Sequence, residues 1–111
     1  MTLKDYQILN REAWQKFAEK YKEPAEKAWE SDDPHWGIWH VPESKLEMFP
    51  NDLKGKKCIE IGCGAGYVSS WMARRGAEVV GIDPTPNQLE TATHLEKQYQ
   101  LGIEFVEGFG E

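Results

Sequence analysis

The chain has 111 residues, enough for one domain that buries roughly two thirds of its unfolded surface. Hydrophobic residues make up 40% of it and five residues are tryptophan, a composition that excludes a disordered chain. Thirteen basic and nineteen acidic residues give a net charge of −6, and no basic stripe is present, so no nucleic acid is expected as a partner.

Cysteine usage and the lack of long apolar runs bear on the compartment. Cys58 and Cys63 are too few for a disulfide framework and lack the partners of a metal site, so free thiols and no metal are expected. The first five residues lack the apolar core of a signal peptide, and no stretch reaches membrane-span length. These features favour a cytoplasmic protein without a membrane partner.

The N-terminal segment is predicted to be helical. Apolar side chains recur at helical spacing over residues 5–22, which predicts an amphipathic helix that covers another part of the protein, with Trp14, Phe17 and Tyr21 in the core rather than at a site. The stripe consists of Tyr6, Leu9, Ala13, Phe17 and Tyr21, flanked by Trp14 and Ala18. Because proline removes a helical hydrogen bond, Pro24 is predicted to interrupt this helix before a second short helix at about 25–30.

Residues 31–43 are predicted to form a loop, because they contain two prolines, a glycine and two aspartates. Three aromatic or imidazole side chains lie close together in this loop: Trp36, Trp39 and His40. A short helix is predicted to follow at 43–49. Together, residues 1–55 are expected to form an N-terminal helical cap with an aromatic loop.

A strand, a glycine-rich turn and a helix are predicted next. Cys58, Ile59 and Ile61 suit the interior of a short buried strand. The three glycines that follow let the backbone turn sharply and lie close to a ligand; they are Gly62, Gly64 and Gly66. A helix at 67–75 should then present unpaired N–H groups to that ligand. Its inner face holds Val68, Trp71 and Met72, and Gly76 ends it.

The remaining sequence predicts a second strand at 78–83, a helix and a third strand at 103–107. Thr85 and Gln88 read as a capping box around a proline at the first helical position, and this helix should run to about Leu101. Its core face consists of Leu89, Ala92, Leu95 and Tyr99. Alternating strands and helices with short links predict an α/β fold with a parallel sheet.

The glycine spacing indicates the kind of ligand. A dinucleotide fingerprint, G-x-G-x-x-G, requires a glycine at position 67, where Tyr67 stands. The sequence instead reads Glu60-x-Gly62-x-Gly64-x-Gly66. This motif after a strand resembles the cofactor-binding motif of the class I, Rossmann-like S-adenosylmethionine-dependent methyltransferases. A carboxylate at position 60 would repel a pyrophosphate but favours a cofactor that carries a sulfonium and an ammonium group.

The resemblance implies a Rossmann-like parallel sheet with flanking helices, of which residues 56–111 would be the N-terminal half. The family's sheet has seven strands and this sequence predicts three, so the chain is expected to be truncated. In that fold a further strand pairs with the first strand. Without it, Lys57–Ile61 would present an open edge, through which self-association is possible.

The resemblance also implies site residues. Asp83, 17 residues after Gly66, would accept hydrogen bonds from the ribose hydroxyls; the alternative is that it only begins the turn before Pro84. Phe109 stands where the family often has an acid and would stack on adenine, and the role of Glu111 stays open. The remaining residues expected at the cofactor are Cys63, Pro84 and Gln88 in the α/β part of the chain, and Trp36 and Trp39 in the aromatic loop.

The resulting expectation is S-adenosylmethionine-dependent transfer of a methyl group to a small-molecule acceptor. The aromatic loop would act as a lid over the substrate, or Trp36 and Trp39 would merely anchor the cap. His40 is a candidate general base, and no catalytic residue is assigned. The alternatives are a nicotinamide-dependent oxidoreductase, disfavoured by Glu60 and Tyr67, and a non-catalytic S-adenosylmethionine-binding module.

Overall fold

The computed structural model describes residues 4–31 and 33–110. It has the predicted α/β architecture, with a long N-terminal helix and a parallel sheet flanked by helices. In chain order the elements are α1 (Asp5–Glu30), β1 (His35–Trp36), β2 (Val41–Pro42), α2 (Glu43–Leu46), β3 (Lys57–Ile61), α3 (Tyr67–Arg74), β4 (Glu78–Asp83), α4 (Pro86–Tyr99) and β5 (Glu104–Glu107).

The main sheet contains β3, β4 and β5 in that order, all parallel. In its register Ile59 lies beside Val80, Glu60 beside Gly81, and Asp83 beside Glu107. Within the described residues β3 is therefore an edge strand, as predicted. Self-association through this edge remains a prediction.

The two faces of the main sheet have different surroundings, because successive side chains along a strand point to opposite sides. The helix-covered face carries Cys58, Glu60, Val79, Asp83 and Phe105. All three long helices pack toward it, and the buried cluster there consists of Trp29, Leu53, Ala77, Val79, Leu95 and Ile103. The open face carries Ile59, Ile61, Val80, Ile82 and Val106. Ile59 and Ile61 are 60% and 61% exposed, so within the described residues the burial expected for this strand is limited to its helix-covered face.

The predicted interruption of the first helix at Pro24 is wrong, since α1 continues through it to Glu30. Pro24 lies on the exposed side of the helix, while Ala25, Ala28 and Trp29 beyond it are buried. Packing of this last turn and a half outweighs the single backbone hydrogen bond that proline removes.

The predicted apolar stripe of α1 is not the buried face. The buried residues of this helix are Gln7, Ala18, Ala25, Ala28 and Trp29. Small side chains allow the close packing of α1 against α3 and α4. The larger side chains lie beside this contact and remain about half exposed: Tyr6, Leu9, Trp14, Phe17 and Tyr21. The prediction that Trp14, Phe17 and Tyr21 belong to the core is therefore wrong.

The predicted loop at 31–43 contains an antiparallel hairpin instead, in which Trp36 of β1 pairs with Val41 of β2. Its turn spans 37–40, and the His40 N–H donates to the Gly37 carbonyl at 3.2 Å. The helix that follows ends at Leu46 rather than at 49, because the Glu43 carboxylate binds the N–H groups of residues 48 and 49 and Glu47 turns into the left-handed region.

The ends of α4 differ slightly from the prediction. Pro86 does occupy the first turn, but Thr85 makes no side-chain capping hydrogen bond, so the capping box is absent. The helix ends at Tyr99, two residues early, because Gln100 adopts a left-handed conformation with φ +52°. The Glu96 carboxylate then accepts the N–H groups of residues 101, 102 and 103, which delays the start of β5 to Glu104.

Candidate functional site

The glycine turn after β3 has the conformation that its sequence predicts. Gly62, Gly64 and Gly66 have φ values of +75°, +55° and +80°, a region that side chains disfavour. The N–H groups of Gly62 and Cys63 donate to the Ile82 carbonyl at 2.7 and 3.0 Å. The turn is thereby fixed to the carboxyl end of the neighbouring strand, where ligands bind in open α/β sheets.

Asp83 braces this turn. Its Oδ2 accepts the Gly64 N–H at 2.8 Å and its Oδ1 accepts the Thr85 N–H at 2.9 Å. The side chain is only 8% exposed, yet it lines the cleft described below. Because each carboxylate oxygen has a second lone pair, the group can hold the turn and still accept from a bound hydroxyl.

Glu60 joins the same turn to the following helix. Its Oε1 accepts both the N–H and the hydroxyl of Ser69, at 3.0 and 2.6 Å. Burial raises the pKa of Glu60, the two hydrogen bonds from Ser69 lower it, and the nearby Asp83 carboxylate raises it again. Two carboxylates therefore line one end of the cleft, and a cationic ligand group would relieve their mutual repulsion.

Two further titratable side chains in this region are poor proton acceptors. Burial raises the pKa of Cys63 to about 12, and the negative charges of Glu60 and Asp83 add to this effect. Burial and Glu60 likewise raise the pKa of Tyr67. Both groups are therefore protonated at neutral pH, which argues against a thiolate nucleophile here.

Gln88, at the start of α4, has an unsatisfied polar atom. The side chain is 7% exposed and lines the cleft, and its buried Oε1 has no hydrogen-bond partner among the described residues. A Cβ built on Gly64 would lie 4.0 Å from the Gln88 amide, so this side chain borders the glycine turn. A buried acceptor without a partner costs about 1–3 kcal/mol, which a donor on a bound ligand would offset.

These groups surround one cleft of ≈ 1390 Å³. The predicted cofactor residues that line it are Glu60, Gly62, Cys63, Gly64, Asp83, Pro84, Gln88 and Phe109. Gly66, Trp36 and Trp39 are not among its lining residues in the described part of the chain. Glu111, whose role was left open, lies outside the described residues.

Trp36 instead fastens the hairpin to the domain. Its Nε1 donates to Glu43 at 3.2 Å, and its ring centroid lies 5.2 Å from that of Phe49 and 5.6 Å from that of Trp71. Trp39, at the hairpin tip, is 82% exposed. These contacts favour the anchoring interpretation for Trp36, and the lid role of the two tryptophans remains a prediction.

The end of α1 is locked to the glycine turn. Trp29 Nε1 donates to the Ala65 carbonyl at 2.8 Å, and Trp71 Nε1 donates to the Ala28 carbonyl at 3.0 Å. Arg74 of α3 also donates to the Trp29 and Ser31 carbonyls. Helix α1 is therefore a fixed wall of the cleft rather than a detached cap.

Several residues of this wall were not predicted as site residues. Tyr6, Trp14 and Tyr21 of α1 face the cleft, although Trp14 and Tyr21 were expected in the core. Their helical spacing was visible in the sequence, but spacing alone does not say which surface the stripe meets. His35 and His40 also line the cleft, of which only His40 was predicted.

The fold and the site together define a Rossmann-like α/β domain with a ligand cleft at the carboxyl ends of its strands. Residues 58–111 match the family described as "Methyltransferase domain". Residues 58–111 therefore form part of a class I S-adenosylmethionine-dependent methyltransferase domain. The predicted family and fold are thus confirmed.

Curated relatives carry the same domain in longer chains. The Ubiquinone biosynthesis O-methyltransferase of Histophilus somni is 33% identical over 90 residues, covering 78% of this chain and 38% of the relative. The enzyme of the same name from Actinobacillus pleuropneumoniae is 42% identical over 60 residues, covering 54% of this chain and 26% of the relative. The chain thus spans between a quarter and two fifths of the length of these relatives.

Solved structures agree on the fold. A Methanococcus maripaludis protein assigned as an S-adenosyl-L-methionine-dependent methyltransferase superimposes with a TM-score of 0.61 at 23% identity, over 85% of this chain and 41% of its own. Phosphoethanolamine N-methyltransferase 1 of Haemonchus contortus, in complex with phosphoethanolamine and S-adenosylhomocysteine, gives 0.54 at 18% identity, over 97% of this chain and 22% of its own.

Two features are absent from the part of the chain that the structure describes. Among residues 4–31 and 33–110, no group of three or more His, Cys, Asp or Glu side chains is arranged to hold a metal ion. In the same described part of the chain, no helix is both long and apolar enough to cross a membrane.

Proposed function

We propose that this protein transfers the methyl group of S-adenosylmethionine to an oxygen of a small-molecule acceptor. The observation that carries the proposal is the cleft end formed by Glu60, Asp83 and Gln88 around the glycine turn. Family membership supports the cofactor, and the relatives named as O-methyltransferases support an oxygen acceptor. The proposal includes the expected cytoplasmic location.

The cleft residues fit this cofactor chemically. Glu60 and Asp83 offer negative charge near the glycine turn, which suits a ligand with an ammonium and a sulfonium group. Gln88 Oε1 and the second lone pairs of Asp83 suit ligand N–H and O–H donors. Phe109 lines the cleft and is available to pack on an aromatic base.

The cofactor supplies an already activated methyl group, so this chain must chiefly bind and align. A rigid cleft is suited to this task, because well-aligned reactants remove about 7–11 kcal/mol of barrier. The hydrogen bonds of Trp29 and Asp83 to the glycine turn provide that rigidity. The aromatic residues of α1 form the opposite wall, where the acceptor would lie.

A nicotinamide-dependent oxidoreductase fits the same cleft less well. An anionic pyrophosphate would lie beside two carboxylates, those of Glu60 and Asp83, which repel it. Tyr67 also stands where the dinucleotide fingerprint has its third glycine. A non-catalytic binding module would share the cofactor end of the cleft but would methylate no acceptor.

Calorimetric titration of the full-length protein with S-adenosylhomocysteine and with NADH tests the proposal. We expect S-adenosylhomocysteine to bind and NADH not to bind. Asp83→Ala should weaken S-adenosylhomocysteine binding at least tenfold, because a charge-assisted hydrogen bond contributes roughly 1.5–3 kcal/mol. Because Asp83 also accepts hydrogen bonds from the backbone at Gly64 and Thr85, the variant should melt at a lower temperature than the wild type. Binding is therefore measured well below the melting temperature of the variant.

Glu107→Ala is the matched control, because Glu107 pairs with Asp83 in the sheet register but is exposed. It should leave both affinity and melting nearly unchanged. Equal affinity in Asp83→Ala and wild type would remove this carboxylate from the cofactor site. Preferential binding of NADH by the wild type would overturn the proposal as a whole.

A further inference from the structure

Two histidines lie side by side on the wall of the cleft. His35 in β1 and His40 at the end of the hairpin turn have ring centroids 4.7 Å apart, with ring planes inclined by 37°. Both residues line the same cleft as Glu60 and Tyr67. The pair thus adjoins the site described above, and nothing in the proposed cofactor binding uses it.

The hairpin holds the two imidazoles in place. The His35 ring centroid lies 5.4 Å from that of Trp71, which is fully buried, and the neighbouring Trp36 is fixed by Glu43 and Phe49. His40 has a φ of +51°, a conformation that non-glycine residues rarely adopt and that clusters at functional sites. The pair is therefore presented by a braced scaffold rather than by a loose loop.

The other groups of the inner cleft that could accept a proton are assigned above to the glycine turn and the cofactor, or are protonated. Glu60 accepts two hydrogen bonds from Ser69, and both oxygens of Asp83 accept backbone N–H groups. The raised pKa values of Cys63 and Tyr67 keep both protonated at neutral pH. Histidine is the side chain that exchanges protons in this range, so the pair remains as the available acceptor.

We propose that His35, assisted by His40, accepts the proton of the acceptor hydroxyl during methyl transfer; this rests on the function proposed above. His35 Nδ1 lies 3.5 Å from the Asp33 carbonyl oxygen. A carbonyl oxygen can only accept, so this contact favours the neutral tautomer with its proton on Nδ1 and its lone pair on Nε2.

The step balances without a further reactant. The acceptor oxygen forms a bond to the methyl carbon, the carbon–sulfur bond breaks, and its electron pair stays on sulfur. The hydroxyl proton moves to His35 Nε2, so the positive charge of the sulfonium ends on the imidazole. His40 is exposed and touches His35, which provides a route for this proton to solvent.

The test uses 4-nitrocatechol, a phenol whose absorbance changes when it ionises, bound to full-length protein saturated with S-adenosylhomocysteine. The wild type should ionise the bound probe at a lower pH than the probe in solution. In His35→Gln the ionisation midpoint should rise by about one pH unit or more, because a nearby cationic partner is lost. His40→Gln should give a smaller rise. The third histidine supplies the control, since His94→Gln on the exposed side of α4 should change nothing.

Other titratable groups around the cleft also affect the ionisation, namely Glu60, Cys63, Tyr67, Asp83, Tyr6, Glu19, Lys20, Tyr21, Glu23 and Lys27. They are common to all three variants, so the difference between His35→Gln and His94→Gln isolates the pair.

Turnover gives a second measurement. With S-adenosylmethionine and catechol, His35→Gln should lower kcat on the order of 10²–10⁴-fold, with little change in KM. An ionised aromatic thiolate needs no base, so its methylation should be nearly unaffected.

The outcomes distinguish a failure of the proposed function from a failure of the role proposed for the histidine pair. A wild type that does not bind S-adenosylhomocysteine would contradict the proposed function. A wild type that binds it but leaves 4-nitrocatechol unbound, or ionises it at the same pH as His35→Gln, would overturn the role of the histidine pair alone. Equal loss of kcat with catechol and with the thiolate would also overturn it, because a merely structural defect affects both acceptors.

Discussion

The two faces of the β3–β4–β5 sheet differ although the same three strands form both. On the helix-covered face, Val79 is 3% exposed and packs with side chains from α1 and α4. On the open face, Ile59 and Ile61 are 60% and 61% exposed. Residues one position apart in the sequence therefore experience an interior on one side and a largely solvated surface on the other.

The candidate chemistry lies entirely on the helix-covered side. Glu60 and Asp83 alternate with the isoleucines of the open face, and each is held by hydrogen bonds to backbone or to a helix. Fixed carboxylates require such support, because an unsupported side chain samples several rotamers. Helix packing therefore both stabilises this sheet and orients its candidate functional groups.

The largest effect should come from placing the same charge on each face. Val79→Asp buries an uncompensated carboxylate among Trp29 and Leu95 and should lower the free energy of unfolding by roughly 3–5 kcal/mol. Val106→Asp, on the open face where Val106 is already 38% exposed, should lower it by less than about 1 kcal/mol. Urea unfolding measures both. Equal losses would mean that the open face is buried in solution.

An intermediate effect should come from the glycine turn, where it packs on the helix-covered face. Gly66→Ala and Gly62→Ala both place a side chain at positive φ, which costs about 1–2 kcal/mol. The new Cβ at Gly66 would also lie 2.6 Å from Phe105 Cζ, whereas Gly62 has no such neighbour. Gly66→Ala should therefore cost about 1–3 kcal/mol more.

Chemical denaturation of the two glycine variants measures that difference directly. Because the cost of positive φ is common to both, the remainder reports packing against Phe105. If the two variants were equally stable, the turn would not be packed against the sheet as described.

The smallest effect should come from Glu60→Gln, and it depends on pH. Burial raises the pKa of Glu60 above its ordinary value of 4.5 in the folded state. The protonated carboxyl therefore contributes its full stabilisation below pH 4.5, the ordinary pKa of the unfolded state. This contribution is lost as the pH rises through the raised pKa of the folded state. The glutamine has no such loss and its Oε1 can still accept from Ser69, so the variant should be slightly more stable than wild type at neutral pH.

Melting temperatures of both proteins from pH 4 to pH 8 measure this effect, and S-adenosylhomocysteine affinity should fall in the variant under the proposed function. A wild type whose stability does not decline relative to the variant over that range would contradict the burial of this carboxylate.

Conformations that depend on the backbone limits of single residues could be predicted from the sequence. Gly62, Gly64 and Gly66 adopt positive φ, and Pro86 begins α4, because the limits of each residue's own backbone decide these features. The parallel pairing of β3, β4 and β5 could be predicted as well, because strands and helices alternate along the sequence with short links.

Features that depend on distant contacts could not be predicted. Helix α1 passes through Pro24 because Ala28 and Trp29 meet α3 and the glycine turn, tens of residues away. The buried Gln88 amide and the position of His35 beside the cleft likewise depend on how three helices and a hairpin meet. The sequence did place the glycine turn and Asp83 at one end of the sheet, but not the opposite wall.

The hydrogen bond from Trp29 to the Ala65 carbonyl joins residues 36 positions apart and has a consequence for how such enzymes diversify. Under the proposed function, the segment expected to face the acceptor and the turn expected to face the cofactor share one rigid joint. An exchange of N-terminal segments between relatives would therefore transfer acceptor preference only when the joint is compatible on both sides. The N-terminal segment and the glycine turn should therefore be inherited together. Recombination breakpoints within this domain should accordingly lie after the glycine turn rather than before it.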